Sequence, residues 1–566
     1  MERTWYGHWP TGVPKTIEYP RIPLHQILRD TAKAHAGTVA TRFYGASLTY
    51  GEIDEKADRF AAGLRTLGVK KGDRVGLILP NSPPFIIAFF GVLRAGGTVV
   101  QTNPLYTPRE LEELYADAGA TVVVTLDYFL PNVLKAKPKT MIRHVVVADV
   151  KDFLPGLLAA LYPIKKKKDL KKAGHWPLVV PVEPWVHRFT DLLAAAPERA
   201  KETPVDAEKD VAVLQYTGGT TGTPKGAMLT HLNLVANAYQ GAAWIPSARA
   251  GEERMMAALP MFHVFGLTVA LLVSIRQGST IILHPDPREI DKILKLVTKE
   301  KPTRFPGVPT MYIAMLNHPK LGKADLRSIK ACVSGAAPLP LEVRRKWETV
   351  TGGHLVEGYG LTEASPITHA NPLVEGSLVK ECIGIPFPDT DAKIVDPETG
   401  ATEMPAGEPG ELVIKGPQVM KGYWGKKEET DQVLRDGWLH TGDIARIDED
   451  GYFYIVERKK DMIIASGYNV YPREVEEVLF QHPAVQEAAV VGVPDPYRGE
   501  TVKAFVVLKA GATATDQDIV AFCKEKLAPF KVPKAVEFRK DLPKSLVGKV
   551  LRRTLREEEL ARKPIP

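Results

Sequence analysis

The stretch Tyr216-Thr217-Gly218-Gly219-Thr220-Thr221-Gly222-Thr223-Pro224-Lys225-Gly226 constrains this chain more than any other. Glycines 218, 219 and 222 let the backbone adopt φ > 0 and bring its N–H groups close to an anion, the threonine hydroxyls add donors, and Lys225 adds a mobile positive charge. That is the composition of a polyphosphate cradle, and ATP is the first ligand it implies. The apolar run Val211-Ala212-Val213-Leu214 reads as a buried strand ahead of the loop, and Leu229 onward as the start of a helix, a strand–turn–helix setting common for phosphate binding. Lys225 follows Pro224 rather than a glycine, so the spacing is not GxxxxGK[ST], which argues against a kinase or GTPase of that type.

At 566 residues, with 44% hydrophobic and 25% charged residues, the chain is too long for one core and reads as an ordinary globular protein of two or more domains. Cys332, Cys382 and Cys523 are too widely spaced for a CxxC metal site or a disulfide framework, so a cytoplasmic, reducing setting is expected. No secretory leader is legible in Met1–His8. The longest apolar runs, 85–93 and 265–275, end at Arg94 and Arg276, short of the ~20 residues that cross a bilayer.

Apolar runs at 74–79, 98–100 and 120–124 alternate with helical patterns at 50–67 and 108–118, a βαβ rhythm that predicts an α/β fold with parallel sheets. Around 385–456 the pattern changes to short strands broken by Gly and Pro, a small β-rich subdomain. Asp450-Gly451 reads as a hairpin turn, and the charged Glu457-Arg458-Lys459-Lys460-Asp461 that follows breaks the apolar pattern. The expected organisation is a large N-terminal domain over 1–456, a hinge at 457–461 and a small, mobile α+β lid over 462–566, with no internal repeat.

Six segments in order carry a resemblance: the 216–226 loop, Ser334-Gly335-Ala336-Ala337-Pro338-Leu339, Glu357-Gly358-Tyr359-Gly360-Leu361-Thr362-Glu363, Thr441-Gly442-Asp443, Glu457–Asp461, and the run 543–553 around Gly548-Lys549. Together they resemble the adenylate-forming superfamily of acyl-CoA synthetases, peptide-synthetase adenylation domains and beetle luciferases. The likeness spans about residues 25–555.

The resemblance implies a carboxylate attacking the α-phosphorus of ATP, then a thiol displacing AMP. Two anions about 4 Å apart repel by about 4 kcal/mol at the effective dielectric of a protein site, so fixed cations are required. By resemblance Lys549 bridges carboxylate and α-phosphate, an electrostatic role aimed at developing charge. Glu363, with Thr362 and Thr220, is expected to hold Mg²⁺ and phosphates. Thr217, Gly218, Gly219, Thr220, Thr221, Gly222 and Lys225 would cradle the phosphates; Gly335, Ala336, Ala337, Glu357, Gly358, Tyr359 and Gly360 would form the adenine pocket; Asp443 and Arg458 would bind ribose and phosphate. Lys460 matches the hinge about which the lid rotates, and Gly467 and Tyr468 the face along which coenzyme A enters. His263, in Pro260–Leu267, matches the mouth of the acyl tunnel. Some long-chain enzymes have a gating tryptophan just after that histidine, and Phe265-Gly266-Leu267 has none.

Residues 151–178 stand apart. Phe153, Leu154, Leu157, Leu158, Leu161 and Ile164 recur at helical spacing, and seven lysines against Asp152 and Asp169 place +5 of the chain's +7 in 28 residues. Pro155 and Pro163 limit a helix here, and leucines packed on the core under solvated lysines remain the alternative to an anionic membrane patch. So concentrated a charge argues against nucleic acid. The segment resembles one in bacterial long-chain acyl-CoA synthetases, which directs the expected substrate toward medium or long fatty acids. Aryl- or short-chain acyl-CoA ligase stays open as the enzymatic alternative, with a fatty acyl-AMP ligase or a non-catalytic acyl/nucleotide-binding protein behind it. The expected partners are a fatty acid, ATP and coenzyme A, with a peripheral membrane surface and a second copy of the chain as a homodimer.

Overall fold

The computed structural model describes residues 3–172, 176–194, 203–217, 224–458, 461–465, 468–495, 499–545, 548 and 550–562. Its first layer is a seven-stranded sheet in the order Val186–Arg188, His144–Ala148, Val122–Leu126, Arg74–Ile78, Thr98–Gln101, Val211–Thr217, Lys225–Thr230, parallel except for the last strand. The helices expected at 50–67 and 108–118 form as Tyr50–Thr66 and Pro108–Ala118. Each opens on a threonine capping box, Thr49 with Glu52 and Thr107 with Glu110, which satisfies backbone N–H groups that would otherwise be orphaned.

The helix Pro83–Arg94 is buried at every position. Arg94, which ends its apolar run, is itself only 1% exposed. It pairs with Asp54 and Asp58, and Arg29 reaches the same two carboxylates at 2.7 Å, so the buried charges are compensated rather than bare.

A second layer begins with Arg254–Ala257, Thr280–Leu283, Val39–Phe43 and Ala46–Thr49. Parallel bridges through Arg304 and Gly307 extend it to Ala331–Ser334, which pairs with His354–Gly360. Five antiparallel strands within 391–458 make the β-rich unit read from the Gly/Pro pattern, and its Ile447–Phe453 pairing closes on the Asp450-Gly451 turn. A further five-stranded sheet, built around the long pair Val485–Asp495 and Gly499–Leu508, carries the helices Pro472–Phe480, Asp516–Lys524 and Arg552–Ala561.

Two expectations need correction, and one apolar run takes a form its sequence does not announce. The 211–243 region is not strand–turn–helix: Val211–Thr217 and Lys225–Thr230 form an antiparallel hairpin, and the helix His231–Ala243 starts only after a Thr230–Asn233 capping box. Alternate burial of Ala227 and Leu229 stabilises the strand, and six residues at ~3.3 Å each carry the helix N-terminus about 20 Å from the loop. The apolar run at 265–275 is a π-helix, Gly266–Leu272, continued by Val273–Arg276, a rare form that periodicity does not reveal. In the lysine-rich segment the helix is Gly156–Lys172, so Phe153 and Leu154 belong to the preceding turn and pack on the main core. Leu170 near its end is buried, but Leu157 and Ile164 are 76% and 71% exposed. Among the described residues, no helix is long and apolar enough to cross a membrane.

Candidate functional site

One cavity of about 1780 Å³ opens between the second layer, the β-rich unit and the C-terminal residues. That exceeds the ~300–1,000 Å³ usual for a single small ligand. It is lined by Thr217, Lys225, His263, Gly335, Ala336, Ala337, Glu357, Gly358, Tyr359, Gly360, Thr362, Glu363 and Asp443, which the sequence scatters over more than two hundred positions. Gly218, Gly219, Thr220, Thr221, Gly222, Lys460, Gly467 and Lys549 lie outside the described residues, as do the side chains of Arg458 and Tyr468.

The hairpin brings Lys225 opposite Thr217 at the cavity edge. A segment that sequence reasoning passed over, Lys421-Gly422-Tyr423-Trp424, pairs along the free edge of Lys225–Thr230 through Met228 N–H to Gly422 and Trp424 N–H to Gly226. Tyr423 thereby reaches both partners: its hydroxyl donates to Glu363 Oε1 at 2.8 Å, and the Lys225 ammonium sits 5.4 Å from its ring centroid. Burial and the Glu363 charge hold the Tyr423 phenol well above its ordinary range, so it stays a donor.

On the opposite wall Tyr359 donates to Asp443 Oδ2 at 2.5 Å. Asp443 lies within the strand Trp438–Ile447, where Thr441 Oγ1 accepts from its N–H, and in the strand register it lies directly opposite Arg458. Behind Tyr359 the ring of His369 packs edge-on at 6.0 Å, and burial lowers its pKa to about 3, so it is neutral. Ala336 holds φ +66, a conformation costly for a side-chain-bearing residue, at the point where the 334–339 turn meets the cavity.

Glu357 is tied into the frame. Its Oε2 accepts from Leu339 N–H at 3.1 Å and its Oε1 faces Arg473 at 3.6 Å, while burial raises its pKa. Arg473 also donates to the Ile455 carbonyl, and Arg552 binds Glu457 at 2.9 Å and Glu476 at 2.6 Å. This charged cluster joins the last strand of the β-rich unit to the C-terminal sheet. Arg473 was not singled out by sequence, and Arg552 was read only as part of the 543–553 run, without a role of its own. Gly548, beside Lys549, adopts φ +72 against Thr310, where a Cβ would come within 2.2 Å of the threonine hydroxyl, so only glycine lets that turn close on the cavity.

The cavity is also lined by Val269 of the π-helix, Val273 just after it, Gly241 of the helix His231–Ala243 with Trp244 at its end, and Ile367 and Phe387. His263 also lines the cavity, and Phe265 N–H donates to its Nδ1 at 3.3 Å. Among the described residues no group of three or more His, Cys, Asp or Glu could hold a metal ion alone. A single carboxylate suits Mg²⁺, which keeps water and phosphate oxygens as its remaining ligands, so Glu363 fits such an ion.

Residues 28–424 match the AMP-binding enzyme family and 474–549 match the AMP-binding enzyme C-terminal domain; the chain belongs to this family of adenylate-forming enzymes. It is 50% identical over 565 residues to a long-chain-fatty-acid–CoA ligase of Bacillus subtilis, covering 99% of this chain and 98% of that one. It is 42% identical to the protein of the same name from Escherichia coli O157:H7, over 99% and 98% of the two chains. Among solved structures it is similar to the anthranilate CoA ligase AuaEII in complex with anthranoyl-AMP, at 29% identity and a TM-score of 0.83, over 96% and 98% of the chains.

Proposed function

We propose that this protein joins a medium- or long-chain fatty acid to coenzyme A in two steps. In the first, a carboxylate oxygen bonds to the α-phosphorus of ATP as the bond to pyrophosphate breaks. In the second, the sulfur of coenzyme A bonds to the acyl carbon and AMP leaves, the thiol proton passing to solvent. The observation that carries the reading is the two-part cavity, polar between Lys225, Glu363, Tyr359 and Asp443 and apolar from Val269 to Phe387, in a chain half identical to a long-chain ligase.

In this reading the 218–222 loop and Lys225 cradle the phosphates, Tyr359 and the Gly335–Ala337 turn flank adenine, and the Asp443 carboxylate accepts the two ribose hydroxyls, a geometry for which it has two oxygens. Glu363, oriented by Tyr423, would hold Mg²⁺, which when bound neutralises phosphate charge. Lys549 neutralises the attacking carboxylate and the α-phosphate. Residues 457–461 act as the hinge, and rotation there exchanges Lys549 for the Gly467–Tyr468 face along which the pantetheine arm approaches. Leu157, Leu158, Leu161 and Ile164, exposed on one stripe of a helix whose next turns carry Lys165, Lys167, Lys168 and Lys171, support peripheral contact with an anionic membrane.

The test is release of AMP and pyrophosphate with ATP, Mg²⁺ and coenzyme A across acetate, benzoate, octanoate, laurate, palmitate and oleate. A maximum at laurate or longer is expected. A preference for acetate or benzoate would keep the mechanism and overturn the substrate class.

A further inference from the structure

The helix His231–Ala243 is a wall with a different cavity on each side. Gly241, Trp244 and Ile245, spaced i, i+3, i+4, line the large cavity. Tyr239, Ala242, Ala243 and Pro246, on the opposite face, line a second cavity of about 520 Å³. Ile245 lines both. The two cavities thus lie on either side of this helix and, just past its end, share the side chain of Ile245.

Both sides carry apolar side chains against this helix. On the inner side, Val273 and Ile367 press so closely on Gly241 that a Cβ there would lie 2.7 Å from Val273 and 3.1 Å from Ile367. On the outer side the second cavity is walled by Pro14, Ile17, Ile27 and the alanines 242, 243 and 248, with Arg276 stacked over Tyr239 at 4.4 Å. Its rim residues Asp30, Ala34, Pro246 and Ala250 are exposed, so it opens to solvent. The second cavity is mixed, with Asp30, Thr31, His35, Arg276 and Gln277 beside its apolar residues, and those apolar residues give an alkyl tail a path beyond the chamber.

We propose that Ile245 is the chain-length stop of the acyl chamber, and that its displacement admits the methyl end of longer chains into the second cavity. The inference rests on the fatty-acid reading above and names the residue that sets its range. No residue of the 260–267 segment is needed for this role, which suits a chain without a tryptophan there. Each methylene taken from water into such a pocket improves binding by about fourfold, so opening or sealing the partition changes the ranking of substrates rather than the rate on all of them.

The test compares full-length wild type, Ile245→Ala and Ile245→Trp in kcat/KM for octanoate, palmitate and behenate. Ile245→Ala is expected to raise the behenate-to-palmitate ratio at least fourfold, Ile245→Trp to lower it at least fourfold, and both to leave octanoate within twofold. Unchanged ratios in both variants would overturn the stop. A wild type inactive on all three acids would overturn the fatty-acid reading itself, which the variants do not touch. A second measurement needs no variant: fatty acids bearing a terminal diazirine, photolysed on the wild-type protein, are expected to label Trp244 or Val273 at palmitate length and Tyr239 or Ala242 at behenate length. Labelling confined to the inner residues at both lengths would refute the passage.

Discussion

The Tyr423 hydroxyl donates to Glu363 Oε1 at 2.8 Å while its ring lies under the Lys225 ammonium, so one phenol positions both groups proposed to meet the phosphates. Tyr423→Phe keeps the ring and loses the hydrogen bond. A bond to a charged group is worth about 1.5–3 kcal/mol, so adenylation measured by pyrophosphate exchange should fall about tenfold or more, with little change in melting temperature. Wild-type exchange rates in this variant would remove Tyr423 from the site.

Lys549→Ala separates the half-reactions. Loss of one electrostatic contact to developing charge costs about 10²–10³ in rate, and the loss should appear in adenylation alone. Thioester formation from supplied acyl-adenylate should stay within a few-fold of wild type. Equal damage to both steps would contradict the role given to Lys549.

Arg552 bridges Glu457 and Glu476, and burial already raises the pKa of Glu476. Arg552→Met leaves two carboxylates buried without that partner, a cost of about 3–5 kcal/mol. Removing the cation raises the folded-state pKa further. The stability deficit is therefore small below the ordinary glutamate value of about 4.3 and grows as pH rises above it. Calorimetry at pH 5 and 8 checks the direction; a deficit that shrinks with pH would be inconsistent with this account.

His231 and His369 both have pKa values lowered to about 3 by burial, and His231 Nδ1 accepts from Leu24 N–H at 3.0 Å, which requires the neutral ring. A base with a depressed folded pKa contributes stability that is full above its unfolded value, about 6.5, and is lost as pH falls toward about 3. Urea unfolding between pH 7 and 5 should show falling stability, with a slope of up to about 1.4 kcal/mol per pH unit for each histidine. His369→Gln should reduce that slope; an identical slope would mean His369 does not titrate in this way.

The exposed stripe on the Gly156–Lys172 helix has a direct assay. Replacing Leu157, Leu161 and Ile164 together with glutamate should abolish sedimentation with anionic vesicles while leaving turnover of octanoate unchanged. Each lysine near an anionic surface contributes about 1 kcal/mol, so neutral vesicles should bind weakly even the unmodified protein. Equal binding of both proteins to both vesicles would exclude the stripe as the contact.

Much of the site was legible because its chemistry needs particular residues at particular spacings. The 216–226 loop, Thr362-Glu363 and Thr441-Gly442-Asp443 could be read as donors and acceptors before any fold was known, and the helical patterns at 50–67 and 108–118 marked helices that form as Tyr50–Thr66 and Pro108–Ala118. Tyr423 was not legible, because its role arises from pairing between an edge strand and a segment two hundred residues away. The same holds for Arg473 and Arg552, whose charges look solvated until the C-terminal sheet packs on Glu357 and Glu457.

The helix at 156–172 shows the division most plainly. Local spacing put leucines and lysines on one helical period, which depends on neighbours within one or two turns, but Pro163, read as a limit on that helix, lies inside it. Which face meets solvent was decided by Lys166, which turns inward to Asp127 and to Asp149 at 2.7 Å and so leaves Leu157, Leu161 and Ile164 outside. The hairpin at 211–230, the π-helix at 266–272 and the partition at Ile245 belong to the same class. Each depends on long-range packing or strand register that no stretch of the chain encodes by itself, whereas the donors and cation proposed to hold phosphate stand in eleven consecutive residues, 216–226.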